Sequence, residues 1–174
     1  MIRTLKQIRK VGLITEAPPL PDAEMRVREA LKAQILDVIG RALCIRHVDA
    51  GSCNGCELEL QALSNPYYNL EALGIKFVAS PRHADLLTVT GPVSKHMELA
   101  LLRTYEAMPA PKLVVAIGRC GCTGGIFGEG YATAGRVGNV IPVDVEVTGC
   151  PPSPTRIMQG LLTAIDARST ARRS

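Results

Sequence analysis

A chain that sets four cysteines in three separate glycine-rich loops must fold so that the loops can meet. Cys53 and Cys56 lie in Gly51-Ser-Cys-Asn-Gly-Cys-Glu57, Cys120 in Gly118-Arg-Cys-Gly121, and Cys150 in Thr148-Gly-Cys-Pro-Pro152. Thiolates presented from Gly and Pro turns are what an iron–sulfur cluster requires. The potential of such a cluster depends on burial and on hydrogen bonds to its sulfurs. Glycine has no Cβ, so its backbone can come close enough to supply those bonds. The pattern points to electron transfer.

The runs between the cysteines say how the loops are carried. Apolar spacing at Val27, Leu31, Ile35 (or Leu36) and Ile39, with Asp22 as a cap, predicts a leading helix over 22–43. Cys44–Asp49 reads as a strand entering the Cys53/Cys56 loop, and Glu57–Ser64 as a helix stopping before Asn65-Pro66. Ile75–Val78 and Asp85–Thr90 read as strands, and Ser94–Ala107 as a helix capped by Ser94 with Met97, Leu101 and Tyr105 on one face. Strand Lys112–Ile117 feeds the Cys120 loop, strand Val143–Val147 feeds the Cys150 loop, and a last helix covers about Pro154–Ala167. Alternating strands and helices predict an α/β fold, a parallel sheet with helices on both faces. All four cysteines then fall just beyond carboxyl ends of strands, the edge at which open parallel sheets bind ligands. Helices starting near Cys56 and Pro154 would aim their positive ends at an anionic cluster there.

A length of 174 residues suits one domain with short extensions. We expect a basic arm and linker over 1–21, one cluster-binding α/β domain over 22–168, and a short basic tail over 169–174. The formal charge of +4 belongs to the ends. Arg3, Lys6, Arg9 and Lys10 stand in the first twelve residues without an acid, and Arg168, Arg172 and Arg173 oppose only Asp166 in the last nine. The stretch 13–165 is left at −2. Leu5, Ile8, Val11 (or Gly12) and Ile14 interleave with the first four cations, a pattern that could lie on an anionic bilayer as an amphipathic helix. Ala17-Pro-Pro-Leu-Pro21 would link it to the domain. Aromatic content of 3% with no Trp speaks against base stacking, so no nucleic-acid partner is expected. The chain opens without a secretory or twin-arginine pattern and holds no apolar run of membrane-spanning length. Its six cysteines then predict a reducing, cytoplasmic setting in which metal binding outweighs disulfides.

Cys53-x-x-Cys56 alone could be half a zinc knuckle or a redox pair. Structural zinc usually takes two compact Cys pairs. Here the remaining ligands are single and distant, which favours a cluster and leaves a zinc domain as the remote alternative. A dithiol would leave Cys120 and Cys150 without a role. Cys44, in a strand, reads as core, since free Cys is among the most buried residue types. Cys122 shares a loop with Cys120, and that loop could present either thiol. His47 reads as a core or interface histidine, Arg82 as a solvated loop arginine ahead of one that neutralises charge near the cluster or holds a partner, and Asp85 as a turn residue. Glu57 and Glu59 suit a helix first turn, although an acid so near a cluster invites a proton-transfer reading. Gly124-Gly-Ile-Phe-Gly128 lacks the Gly-Lys-Ser/Thr of a phosphate loop.

Taken together, Cys53-Asn-Gly-Cys-Glu-Leu-Glu59, Gly74-Ile-Lys-Phe-Val78, Ser80-Pro-Arg-His-Ala-Asp85, Gly124-Gly-Ile-Phe127, Ile141-Pro-Val-Asp-Val145 and Gly149-Cys-Pro-Pro152 are highly specific. In these stretches, spanning about 43–165, the sequence resembles the small subunit of membrane-bound, energy-converting [NiFe] hydrogenases, including the formate hydrogenlyase type. That family is similar to the 20 kDa subunit of respiratory complex I. The resemblance implies a flavodoxin-like domain with one [4Fe–4S] cluster on Cys53, Cys56, Cys120 and Cys150. The family's third ligand sits in a Gly-x-Cys-Gly/Ala segment ahead of a Gly-Gly pair, which selects Cys120. Cys122 stands where the family has a non-ligand and departs from its pattern.

The resemblance also implies an oxidoreductase subunit that is not catalytic alone and has no catalytic residues of its own. It would relay single electrons to or from the active site of a large hydrogenase-like or quinone-site subunit. Its further partners would be a ferredoxin-like iron–sulfur subunit and membrane-arm subunits, and it would sit peripherally on the cytoplasmic side of the membrane. The complex I branch has adjacent cysteines at the first site. Asn54-Gly55 separates them here and places the chain on the hydrogenase side, with a complex I-type or nickel-free relative as the alternative.

Overall fold

The computed structural model describes residues 23–35, 37 and 40–173. The basic arm, the Asp22 cap, Leu36 and Ile39 lie outside the described residues. Five strands form one parallel sheet: β1 (Leu43–Asp49), β2 (Ile75–Phe77), β3 (Leu86–Thr90), β4 (Leu113–Ile117) and β5 (Val145–Val147). Their spatial order is β2-β1-β3-β4-β5, the doubly wound order of flavodoxin-like folds. The central strands are registered Ile45 to Leu86 to Leu113, so the three carboxyl ends finish nearly level at Asp49, Thr90 and Ile117. Strands β3 and β4 are buried at every position, which is why Leu-Leu-Thr-Val-Thr and Leu-Val-Val-Ala-Ile show little polar alternation.

Helices α1 (Ala23–Gln34), α2 (Gly55–Ala62) and α5 (Pro154–Arg173) border one face. Leu31, Ile35, Ile45, Leu60, Ile117 and Ile157 close a first core there. Helix α3 (Lys95–Ala107) and the short α4 (Gly118–Thr123) border the other. Leu87, Val89, Leu101, Ala116, Cys122 and Val137 form a second core beneath them. Each fully buried Leu or Ile contributes roughly 1.5–3 kcal/mol, whereas an ion pair with an exposed partner contributes about 0–1 kcal/mol. Stability therefore resides in the two cores and not in Arg41–Asp85, whose arginine is 59% exposed.

Four element expectations need correction. The leading helix was expected to reach residue 43, but α1 ends at Gln34, π-helical backbone follows at Ile35 and Asp37, and Leu43 already pairs with Ile75 in the sheet. Gly40, at φ +68°, donates its N–H to the Ile35 carbonyl and ends the helical path. Residues 118–123 form a helical turn and a half where a loop was expected. Ser94 caps α3 with its carbonyl, which accepts from Met97 and Glu98, and its side chain makes no capping bond. The last helix continues past Ala167 to Arg173.

Candidate metal centre

The Cys53/Cys56 loop follows β1 directly, and two carboxylates brace it. Asp49 Oδ1 accepts from the N–H groups of Gly51 (2.9 Å) and Ser52 (2.8 Å). Ser52 Oγ donates to Glu57 Oε2 (2.5 Å) and accepts from the Asn54 N–H (3.0 Å). Asn54, left-handed at φ 70°, turns the chain into α2 so that Cys56 lies in its first turn. Glu57 is thus a buried brace of the ligand loop. The Asp-x-Gly-Ser spacing of an Asx turn carries this signal, and the sequence reading passed over Asp49 and Ser52.

Cys120 sits in α4, which grows out of β4 without a loop. Its Arg119 N–H donates to the Gly149 carbonyl (2.7 Å), tying the Cys120 turn to the Cys150 loop. Two glycines leave room for sulfur. A Cβ on Gly118 would stand 2.4 Å from Cys56 Sγ, and one on Gly125 would stand 2.7 Å from Cys120 Sγ. Both have positive φ, +87° and +61°, a region where only Gly is at ease.

The four thiols act on one another electrostatically. Burial pushes the Cys56 thiol up to about 12, and the negative charges of Glu57, Cys53, Cys120 and Cys150 add to the shift. Cys120 is also raised, by burial first and then by Cys150 and Cys53, against the lowering pull of Arg119. Cys56 and Cys120, raised in this way, would give up their protons beside a strongly cationic group, as thiolate ligation of a metal provides. Cys53 and Cys150 are exposed, so the edge is open on its outer side. The donor set and the side-chain-free cradle fit an iron–sulfur group, although no three His, Cys, Asp or Glu among the described residues meet the spacing for a single ion.

Cys122 lies elsewhere. It is 2% exposed in the second core, its thiol 3.6 Å from the Ala116 carbonyl, and burial with Glu146 pushes it up to about 11. Cys44 is buried at the amino end of β1, near the Ala42 carbonyl and Arg41, away from the other thiols. Asp85 is more than a turn residue: buried, it accepts from Arg41 Nη2 (2.6 Å) and from the Cys44 N–H (3.1 Å).

Beside the ligand loop, His47, Glu57, Leu60, Gln61, Ser64 and Phe77 line a cavity of about 290 Å³. His47 Nδ1 meets Thr88 Oγ1 at 3.2 Å, and its Nε2 stands 3.9 Å from Glu57 Oε1. Both of these last two atoms are buried without a hydrogen-bond partner among the described residues. Desolvation lowers the His47 pKa below its usual 6.5, against the raising effect of Glu57 and Asp49.

Comparisons with known proteins agree with this architecture. The family described as NADH ubiquinone oxidoreductase, 20 Kd subunit, matches residues 53–164. The "Probable membrane-bound hydrogenase subunit mbhJ" of Pyrococcus furiosus is 43% identical over 83% of this chain and 87% of its own length. Formate hydrogenlyase subunit 7 of Escherichia coli is 40% identical over 84% of this chain, which spans 58% of that longer protein. An NADH-quinone oxidoreductase subunit of Desulfovibrio desulfuricans is 44% identical over 71% of this chain and 66% of its own length. Among solved structures, a subunit of an archaeal membrane-bound sulfane sulfur reductase superposes with TM-score 0.66 at 30% identity, covering 88% of this chain and 80% of that one. These relatives are subunits of membrane-bound or respiratory oxidoreductase complexes, and the 20 kDa family is generally an iron–sulfur one. No helix among the described residues is long and apolar enough to cross a membrane. By sequence and by fold, this chain belongs to the NADH ubiquinone oxidoreductase 20 kDa subunit family.

Proposed function

We propose that the chain is the electron-transfer subunit of a membrane-associated, hydrogenase-type complex and holds one [4Fe–4S] cluster on Cys53, Cys56, Cys120 and Cys150. The observation that supports it is that Cys56 lies within electrostatic reach of Cys53, Cys120 and Cys150 beyond the ends of β1, β4 and β5, with Gly118 and Gly125 leaving room for the Cys56 and Cys120 sulfurs. When bound, the cluster supplies a one-electron carrier with a tunable potential. The chain's own residues pack Cys56 against the first core and brace the ligand loop through Asp49, Ser52 and Glu57. Electrons would pass between a ferredoxin-like iron–sulfur subunit and the active site of a large catalytic subunit, with membrane-arm subunits beneath and the whole on the cytoplasmic face. The domain division stands with this reading: a basic arm over 1–21, the cluster domain over 22–168 and a short tail over 169–174.

The Asn54-Gly55 spacer between the first two cysteines favours the hydrogenase side. The likeness to NADH-quinone oxidoreductase subunits supports a quinone-reducing complex as the second reading. The large subunit that copurifies distinguishes them, because two Cys-x-x-Cys motifs there mean a Ni–Fe site. The cluster itself is tested on anaerobically purified protein, which should contain about four iron and four acid-labile sulfide per chain and give an EPR signal on reduction. Cys120→Ser should abolish that signal and Cys122→Ser should spare it. Stoichiometric zinc without sulfide would replace this reading with a structural zinc domain.

A further inference from the structure

A second polar site lies at the amino end of the sheet, away from the thiols. Arg41 precedes β1, Lys76 lies on β2, and Arg82 and His83 lie on the single 3-10 turn that carries the chain from β2 to β3. Cys44 and Lys76 are register partners, so both present their side chains on the same sheet face. From three chain segments these four basic side chains border one cleft of about 530 Å³, with Val78 and Pro109 as apolar wall. The acid at this place is Asp85, which is buried and already accepts from Arg41. Among the described residues Lys76, Arg82 and His83 have no ion-pair partner. Three permanent cations against one carboxylate leave a local charge of about +2 in a chain whose middle is otherwise slightly acidic.

Arg41 is the organised member of the set. Asp85 holds Nη2 at 2.6 Å and is itself fixed by the Cys44 N–H, so one nitrogen of the guanidinium is tethered at the cleft before any ligand arrives. A guanidinium fork tethered in this way, with the Lys76 ammonium and a second guanidinium nearby, suits the several acceptor oxygens of a phosphate. A cleft of this volume with an apolar wall also has room for an organic body beyond the anion. We propose that this cleft binds a phosphate ester, independently of the cluster and of the electron-transfer reading. The ester would come either from a soluble metabolite or from a phospholipid headgroup.

The test uses the full chain with whatever subunits copurify with it, in detergent, titrated calorimetrically at constant ionic strength. One arm adds inorganic phosphate and the other adds dihexanoyl phosphatidylglycerol below its micelle concentration. The comparison variant is Lys76→Gln with Arg82→Gln, two exposed residues whose change leaves the Arg41–Asp85 pair in place. The control is Lys95→Gln with Arg136→Gln, which removes two cations elsewhere on the surface. We expect saturable binding in at least one arm, weakened roughly tenfold or more by the variant and unchanged by the control. Binding of the diester alone assigns a lipid headgroup, and binding of phosphate, with or without the diester, assigns a soluble ester. Unchanged iron content and subunit composition show that the variant is assembled. Absence of saturable binding in both arms, equal affinity in the variant, or an equal loss in the control would overturn the proposal.

Discussion

Gly118 stands where β4 passes straight into α4, at φ +87°, with Cys56 Sγ occupying the space a Cβ would need. Left-handed backbone costs an L-residue roughly 1–2 kcal/mol before any clash is counted. Gly118→Ala should therefore displace the Cys56 thiol, and iron content should drop by more than half while far-UV circular dichroism is kept. His47 gives a pH prediction of definite sign. Its folded pKa is lowered by burial, so its contribution is complete above about pH 6.5 and drains as the pH falls below that value. His47→Gln, which retains a partner for Thr88, should shrink the loss of Tm between roughly pH 7 and pH 5. At this scale the four thiols proposed as ligands stand out in the sequence, because a glycine one or two positions before each marks them without any knowledge of packing. The structural part of Cys122 was not legible from residues alone. Which of two thiols two positions apart enters a core depends on the helical path of 118–123, and the composition Gly-Arg-Cys-Gly-Cys-Thr does not favour a helix.

Among the elements, β1 to β4 were each read to within one residue and β5 to within two, and burial is complete in β3 and β4. There, unbroken apolar runs admit few alternatives. The leading helix was over-extended because apolar spacing continues through Ile39 to Leu43, while the positive φ of Gly40 breaks it and Leu43 is claimed by pairing with Ile75. Tertiary contacts hold α4 in shape against its propensity, through Arg119 to Gly149 and Cys122 beneath. Gly160 tests how closely an element pair is packed. It lies inside α5, where Gly→Ala ordinarily stabilises by roughly 0.5–1 kcal/mol. Here the new Cβ would stand 2.2 Å from Val147 Cγ2 on β5, and a β-branched side chain has little freedom to retreat. Gly160→Ala should thus lower stability by roughly 1–3 kcal/mol in denaturant unfolding, and adding Val147→Ala should restore part of the loss. A stabilised single variant would show that the helix can lift from the sheet at no cost.

Over the whole molecule, exposed apolar side chains occur close to the thiol edge. Ile126 is 86% exposed, Phe127 61% and Tyr131 101%, all on the segment that follows Cys120. Apolar side chains this exposed suit a partner surface, and aromatic anchors carry much of the energy of such contacts. Ile126→Glu with Phe127→Ser should leave the iron content intact while the large subunit no longer copurifies; its retention at wild-type yield would exclude this lip as the interface. The order of the strands could not be read from any one segment, because a parallel sheet is closed by contacts between residues distant in sequence. Its consequence for the metal centre is one of timing. The thiols proposed as ligands lie beyond the strand ends, in the turn into α2, in α4 and in the segment after β5, and Cys56 packs against the first core, while the register from Ile45 to Leu113 closes without them. Two of those thiols face outward. A cofactor seated there would enter a scaffold whose sheet has already formed, from the side on which Cys53 and Cys150 are exposed, so maturation would have to precede the docking of any partner that covers that side.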